Sequence, residues 1–135
     1  MISILKTTAK RLVGSVRRML NSAPSSRPMI LMYHRVSTTG HDPWGLTVSP
    51  GNFAEQVELI VRTRHVMPLR AFFREFRSGT LPRGAVAITF DDGYADNFHV
   101  AAPVLKRFDA PATLFITTGY LGRSEFWWDE LDRLL

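Results

Sequence analysis

An α/β fold built on parallel strands is predicted by three features of the chain. The unbroken run Ala85-Val86-Ala87-Ile88-Thr89-Phe90, small and mostly apolar, leads straight into Asp91-Asp92-Gly93. Such a run, closed by an Asp-Gly turn signal, reads as a buried strand apolar on both faces. Beyond it, one helical stretch is followed by a second β-rich run, Thr113 to Thr117. That order makes a β-α-β unit, which implies a parallel pair and a right-handed crossover. Finally, Phe53, Val57, Ile60 and Val61 recur at helical spacing upstream, so helices alternate with strands.

The charge is unevenly distributed. Residues 1–28 hold Lys6, Lys10, Arg11, Arg17, Arg18 and Arg27 with no acid, while the rest of the chain holds eleven basic and twelve acidic residues. The formal net charge of +5 therefore belongs to the leader. The body has no basic block interleaved with aromatics, which argues against nucleic acid as a partner. Cysteine is absent, so disulfides and thiolate metal sites are excluded.

In the leader, Ile2, Leu5, Ala9, Leu12, Val16 and Met19 fall on one helical stripe, with Lys6, Lys10 and Arg17 off it. No apolar run approaches the ~18–20 residues of a spanning helix. Lys10-Arg11 and Arg17-Arg18 also interrupt any secretory core of ~7–15 apolar residues. Three readings stay open: a helix packed on the body, a helix lying on an anionic membrane surface through residues 1–20, and an Arg-rich targeting segment. The expected location is cytoplasmic or peripheral to a membrane. Asn21 to Pro28 reads as a linker, which divides the chain into a leader and linker, 1–28, and a domain, 29–135.

Within the domain, Met29 to Tyr33 is a short strand ending at His34-Arg35. Ser37 to Thr47 is loop-like, with Gly40, Pro43 and Gly45 as breakers. Ser49 is placed to cap a helix that opens on Pro50. His65 to Leu69 reads as a strand, followed by a helix bearing Phe72, Phe73 and Phe76 and closed by Gly79. These phenylalanines are expected in the core. Asp96 or Asn97 is placed to cap the next helix, with Val100, Val104, Leu105 and Phe108 on its buried face. Pro103 moves the regular part of that helix to about Ala101, leaving the proline in its first turn. Gly119 to Gly122 is a loop, and Phe126 to Leu135 opens a further helix.

Asp91 and Asp92 stand at the C-terminal end of a parallel strand, where catalytic groups of α/β folds collect. Side chains alternate along an extended strand, so the two carboxylates would not grip one ion together. One could bind a cation while the other moves a proton. The plain alternative is a surface turn, for which Asp-Gly is ordinary chemistry. Tyr94 is expected at the rim of the site. His34, at a strand end, is a further candidate, against the commoner role of a hydrogen-bonded rim histidine.

Thr89-Phe90-Asp91-Asp92-Gly93-Tyr94, followed by Ala110-Pro111-Ala112-Thr113-Leu114-Phe115-Ile116, resembles the polysaccharide deacetylase family. In this NodB-homology, chitooligosaccharide-deacetylase-like family, T-F-D-D-G-Y is the first signature motif. Ala102-Pro103-Val104-Leu105-Lys106 continues the wording, and Met32-Tyr33-His34-Arg35-Val36 is similar to an N-terminal element of its members. The resemblance runs from about Met29 to the end. It implies the N-terminal part of a distorted (β/α) barrel of the glycoside hydrolase/deacetylase type. It also implies hydrolytic removal of acetyl groups from N-acetylated, sometimes O-acetylated, oligo- or polysaccharides. In that reaction a divalent, zinc-class metal polarises the acetyl carbonyl and a water, and a carboxylate takes the proton. By the motif, Asp91 would be the general base and Asp92 a metal ligand.

The family completes its metal site with two histidines in an H-x-x-x-H-like motif. His34, His41, His65 and His99 show no such spacing, and the family's later motifs are missing. One carboxylate is too few, because such sites take at least three protein ligands. The expectation is therefore a truncated domain, inactive alone. Two rivals follow: a non-catalytic remnant that binds saccharide or packs on a partner, and a magnesium-dependent phosphoryl-transfer enzyme. The second is weaker, since no G-x-x-x-x-G-K run is present.

Overall fold

The computed structural model describes residues 27–38, 40, 42–123 and 125–134. The helix expected in the leader, and most of the linker, lie outside them. Twelve short elements follow in order. They are strands β1 (Met29–Tyr33), β2 (Arg35–Val36) and β3 (Thr47–Val48), helix α1 (Pro50–Thr63), strand β4 (His65–Val66), helix α2 (Leu69–Ser78) and strand β5 (Ala85–Phe90). A π-helical turn (Asn97–Ala101) then runs into α3 (Ala102–Arg107), followed by β6 (Ala112–Leu114), a 3₁₀ turn (Thr118–Tyr120) and α4 (Trp127–Leu134).

Every strand of the main sheet pairs with β5, and all the pairs are parallel. β1 lies along one edge, Met29 opposite Val86 through Tyr33 opposite Phe90. The other edge is shared. Met67 N–H donates to the Val86 carbonyl at 2.9 Å beside β4, and Phe115 N–H to the Phe90 carbonyl at 2.8 Å beyond β6. Positions 86 and 90 have the same parity and so face the same edge. The sheet formed by the described residues is open, an α/β layer rather than a closed barrel.

All six residues of β5 are buried, as its composition requires. Val86, Ile88 and Phe90 point into a cluster with Phe53, Val57 and Ile60 of α1, Ala101 of the π-helical turn and Leu105 of α3. Ala85 and Ala87 point the other way, onto Met67 and Phe72. The buried Thr89 hydroxyl donates to the Leu31 carbonyl at 3.3 Å, which satisfies the one polar side chain of the strand.

The helix ends follow local chemistry. Ser49 caps α1 by accepting the Asn52 N–H, with Pro50 in the first turn. Gly79 ends α2 at φ +72°; its N–H bonds the Phe76 carbonyl while Thr80 N–H bonds Glu75, a Schellman closure. Pro103 sits in the first turn of α3 as expected.

Several expectations are corrected. β4 has two residues, because Pro68 starts α2 early. On α2 only Phe72 is buried; Phe73 and Phe76 are 49% and 61% exposed, on the face turned from β5. Val61 likewise points outward from α1. The last strand is Ala112–Leu114 rather than Thr113 to Thr117. Residues 35–36 and 47–48 form a short parallel ladder, which takes Thr47 out of the loop expected over Ser37 to Thr47. Asp96 does not cap with its side chain, because that carboxylate is engaged elsewhere.

Candidate active site at the end of strand β5

The carboxylate pair follows β5 immediately, and both residues are half-buried. The strand does not continue through them, so the alternation argument for their side chains does not hold. Asp91 N–H still bonds the Tyr33 carbonyl of β1 at 2.9 Å. Asp92 then takes φ +69°, and Gly93 N–H returns to the Asp91 carbonyl at 2.9 Å, the hydrogen-bonding pattern of a γ-turn. A non-glycine residue at positive φ is strained, and such strain collects at functional sites.

Gly93 is required twice over. Its φ is +84°, and an added Cβ would stand 2.9 Å from Ile116 Cγ2 and 3.2 Å from Ile116 Cα. The chain after β6 is thus laid against the turn, and Thr117 N–H holds the Asp92 carbonyl at 3.1 Å. Beneath the pair, Tyr33, Phe53 and Phe90 pack ring against ring at 5.1 to 5.8 Å between centroids. Tyr33 Oη donates to Gln56 Oε1 at 2.9 Å, and burial pushes its pKa up to about 12.

A second set of contacts fixes the far side of the turn. Arg35 Nε donates to Asp96 Oδ2 at 3.0 Å, and Asp96 Oδ1 accepts the Val36 N–H at 3.1 Å. The Arg35 guanidinium lies 4.4 Å from the Tyr94 ring centroid, a cation–π contact. Tyr94 is buried, not at a rim. Its hydroxyl accepts from Trp128 Nε1 at 2.8 Å and its ring meets Phe126 at 4.9 Å. Burial raises its pKa to about 12, against the opposing pull of the Trp128 hydrogen bond. These partners lie more than thirty positions downstream, and no local signal in the sequence pointed to them.

The histidines do not gather around the pair. His34 is half-buried at the end of β1, on the same end of the sheet. His65 pairs with Ala85 at the opposite end of β5, and His99 is exposed in the π-helical turn. His41 lies outside the described residues. Among the described residues no three His, Cys, Asp or Glu side chains form a group able to hold a metal ion. Beside the pair opens a cleft of about 620 Å³, with Gly93 and Tyr94 in its wall but neither aspartate.

The sequence and the fold together resemble known proteins. Residues 78–135 match the family model for polysaccharide deacetylase. This part of the chain is similar to the polysaccharide deacetylase family. A curated relative is the poly-β-1,6-N-acetyl-D-glucosamine N-deacetylase of Staphylococcus aureus, 33% identical over 81 residues, which are 59% of this chain and 28% of that protein. Among solved structures, the Streptococcus pyogenes deacetylase PplD in complex with acetate superposes with a TM-score of 0.61 at 31% identity. That match covers 70% of this chain and 45% of PplD. IcaB from Ammonifex degensii gives 0.60 at 32% identity, covering 73% of this chain and 41% of IcaB. The chain thus spans less than half the length of each of these three proteins. No described helix is long and apolar enough to cross a membrane.

Proposed function

We propose that this chain carries the proton-transfer half of a polysaccharide deacetylase site, acting on N-acetylated hexosamine polymers of the poly-N-acetylglucosamine kind. The observation that carries it is the strained Asp91-Asp92-Gly93 turn, pinned to β1 by Tyr33 and to the post-β6 segment by Thr117. Asp91, held at the strand end by its own N–H, is the general base that takes a proton from the attacking water. A fixed position is what a base needs to reach that proton. Asp92 is a donor toward a divalent cation, one of several such a site needs, and the remainder are not among the described residues. The S. aureus relative, named for its poly-β-1,6-N-acetyl-D-glucosamine substrate, supports the choice of sugar.

The test is acetate release from N-acetylglucosamine oligomers, with metal content measured in parallel. In protein with a complete ligand set, Asp91→Asn should keep its metal and lose turnover by about 10²–10⁴-fold, the usual share of general base catalysis. Asp92→Ala should lose the metal. The 135-residue chain alone should bind zinc weakly and release no acetate. Near-normal turnover in Asp91→Asn would remove the base assignment. A monomeric 135-residue chain with one tightly bound metal and measurable turnover would show that His34 or another dismissed group completes the site.

A further inference from the structure

The exterior of helix α2 has a composition that neither the core nor the proton-transfer chemistry uses. Arg70, Arg74 and Arg77 recur at i, i+4 and i+7, so they share one exposed stripe. Phe73 and Phe76 border that stripe, and both rings are exposed. Phe72, on the other side of the helix, packs with Ala85 and Ala87 of β5 and fixes the arginines outward. The one acid of the helix, Glu75, is half-buried and reaches Arg74 at 3.4 Å. Arg70 and Arg77 have no acidic partner among the described residues. Arg83, in the loop that leads into β5, is exposed as well.

The helix lies at the end of the sheet remote from the carboxylate turn. It packs on the start of β5 at Ala85, and Asp91 lies about 20 Å further along that strand at ~3.3 Å per residue. β1 begins at the same remote end, Met29 opposite Val86, so the acid-free leader with its six basic residues joins the sheet there.

The chemistry of this face selects its occupant. Guanidinium groups call for anions, the rings call for an apolar phase, and one convex surface carries both. A single-stranded nucleic acid takes a groove that tracks its backbone, which a helix exterior does not provide. A lipid surface meets both demands at adjoining depths. Rings on such a helix sink ~5–10 Å, to the boundary of headgroups and acyl chains, while long arginine stems keep their charged heads among the phosphates.

We propose that α2 is a peripheral docking surface for anionic phospholipid bilayers, with Phe73 and Phe76 at the acyl boundary and Arg70, Arg74 and Arg77 among the headgroup phosphates. The chain then rests on the membrane by the base of its sheet, and the Asp91-Asp92 turn faces the water. This docking does not depend on the deacetylase reading.

The experiment sediments the 135-residue chain with vesicles of phosphatidylcholine, alone or mixed with phosphatidylglycerol. Binding should require phosphatidylglycerol and weaken at high salt. Replacing the three arginines together, Arg70→Gln, Arg74→Gln and Arg77→Gln, should weaken it by about 10-fold or more, since each surface cation contributes several-fold. Lysine at the same three positions should keep most of the binding. Phe73→Ser with Phe76→Ser should weaken it by about 10-fold or more, through the lost apolar burial. Because the chain has no cysteine, Phe73→Cys supplies a single labelling site. A polarity-sensitive dye there should shift to the blue on anionic vesicles, and a dye on Glu58→Cys of α1 should not. Circular dichroism melts check that each variant is folded. Equal binding to both vesicle types, unchanged binding in the glutamine or serine variants, or no shift at position 73 would each overturn the proposal. So would binding that is lost on Lys6→Gln, Lys10→Gln and Arg17→Gln but kept in the α2 variants, or a single-stranded oligonucleotide held more tightly than the vesicles.

Discussion

Arg35 and Asp96, sixty-one positions apart, meet at 3.0 Å across the turn that carries Asp91 and Asp92. Asp96 is the more buried partner, and its second oxygen is taken by the Val36 amide. The pair ties β2 to the start of the π-helical turn. Arg35→Met should therefore cost about 1.5–3 kcal/mol, the range for hydrogen bonds to charged groups. Denaturant midpoints for Arg35→Met, Asp96→Asn and the double variant give the coupling. Additive losses would show that the two do not act together.

Gly93→Ala meets two obstacles, the positive φ and the Ile116 contacts. A loss of roughly 1–3 kcal/mol is expected. Shortening Ile116 to alanine in the same chain should recover only part of it, because Ile116 Cα is itself in the way. Full recovery in thermal melts would assign the whole effect to the isoleucine side chain.

Asp92 gives a test in which stability and activity separate. Asp92→Gly relieves the positive φ and should leave the fold as stable, or up to ~1 kcal/mol more so, while Asp92→Val should lose about 1–2 kcal/mol. Both should abolish turnover in protein with a complete ligand set. If Asp92→Gly unfolded at markedly lower denaturant, the turn would depend on the carboxylate rather than merely tolerate it.

Tyr33 and Tyr94 set an alkaline limit. Burial raises both folded pKa values from 10 to about 12, so their contribution is complete below pH 10 and is lost as pH climbs through 12. For Tyr33 the loss is on the order of 2 kcal/mol. Urea midpoints from pH 8 to 12 should fall above pH 10, and fall less in Tyr33→Phe. A flat profile would mean that neither hydroxyl is shielded.

Much of this architecture is legible in the chain because it rests on neighbours in sequence. Ser49 with Pro50, Gly79, Pro103 and the apolar run of β5 each act within a few residues. The misreadings arise where distant partners decide. Phe72, Phe73 and Phe76 share one helix, but only the side facing β5 is covered. Pairing after Leu114 follows the aspartate turn instead of a ladder, as Phe115 and Thr117 reach Phe90 and Asp92, so the strand ends early. Tyr94 is adjacent to the signature aspartates, yet Trp128 and Phe126 decide that it is buried. The pair Asp91-Asp92 is legible in its wording and the turn in Asp92-Gly93, whereas the positive φ of Asp92 itself is not.

The pairing of β1 with β5 also has a temporal meaning. Leu31 and Thr89 are joined across 58 positions, and the linking segment forms β4 and both early helices on the way. Contacts of such long range are slow to close and raise contact order. During synthesis, at ~5–20 residues per second, β1 waits several seconds before β5 leaves the ribosome. Met29, Leu31 and Tyr33, which pack on the core only once β5 has arrived, stay uncovered through that interval.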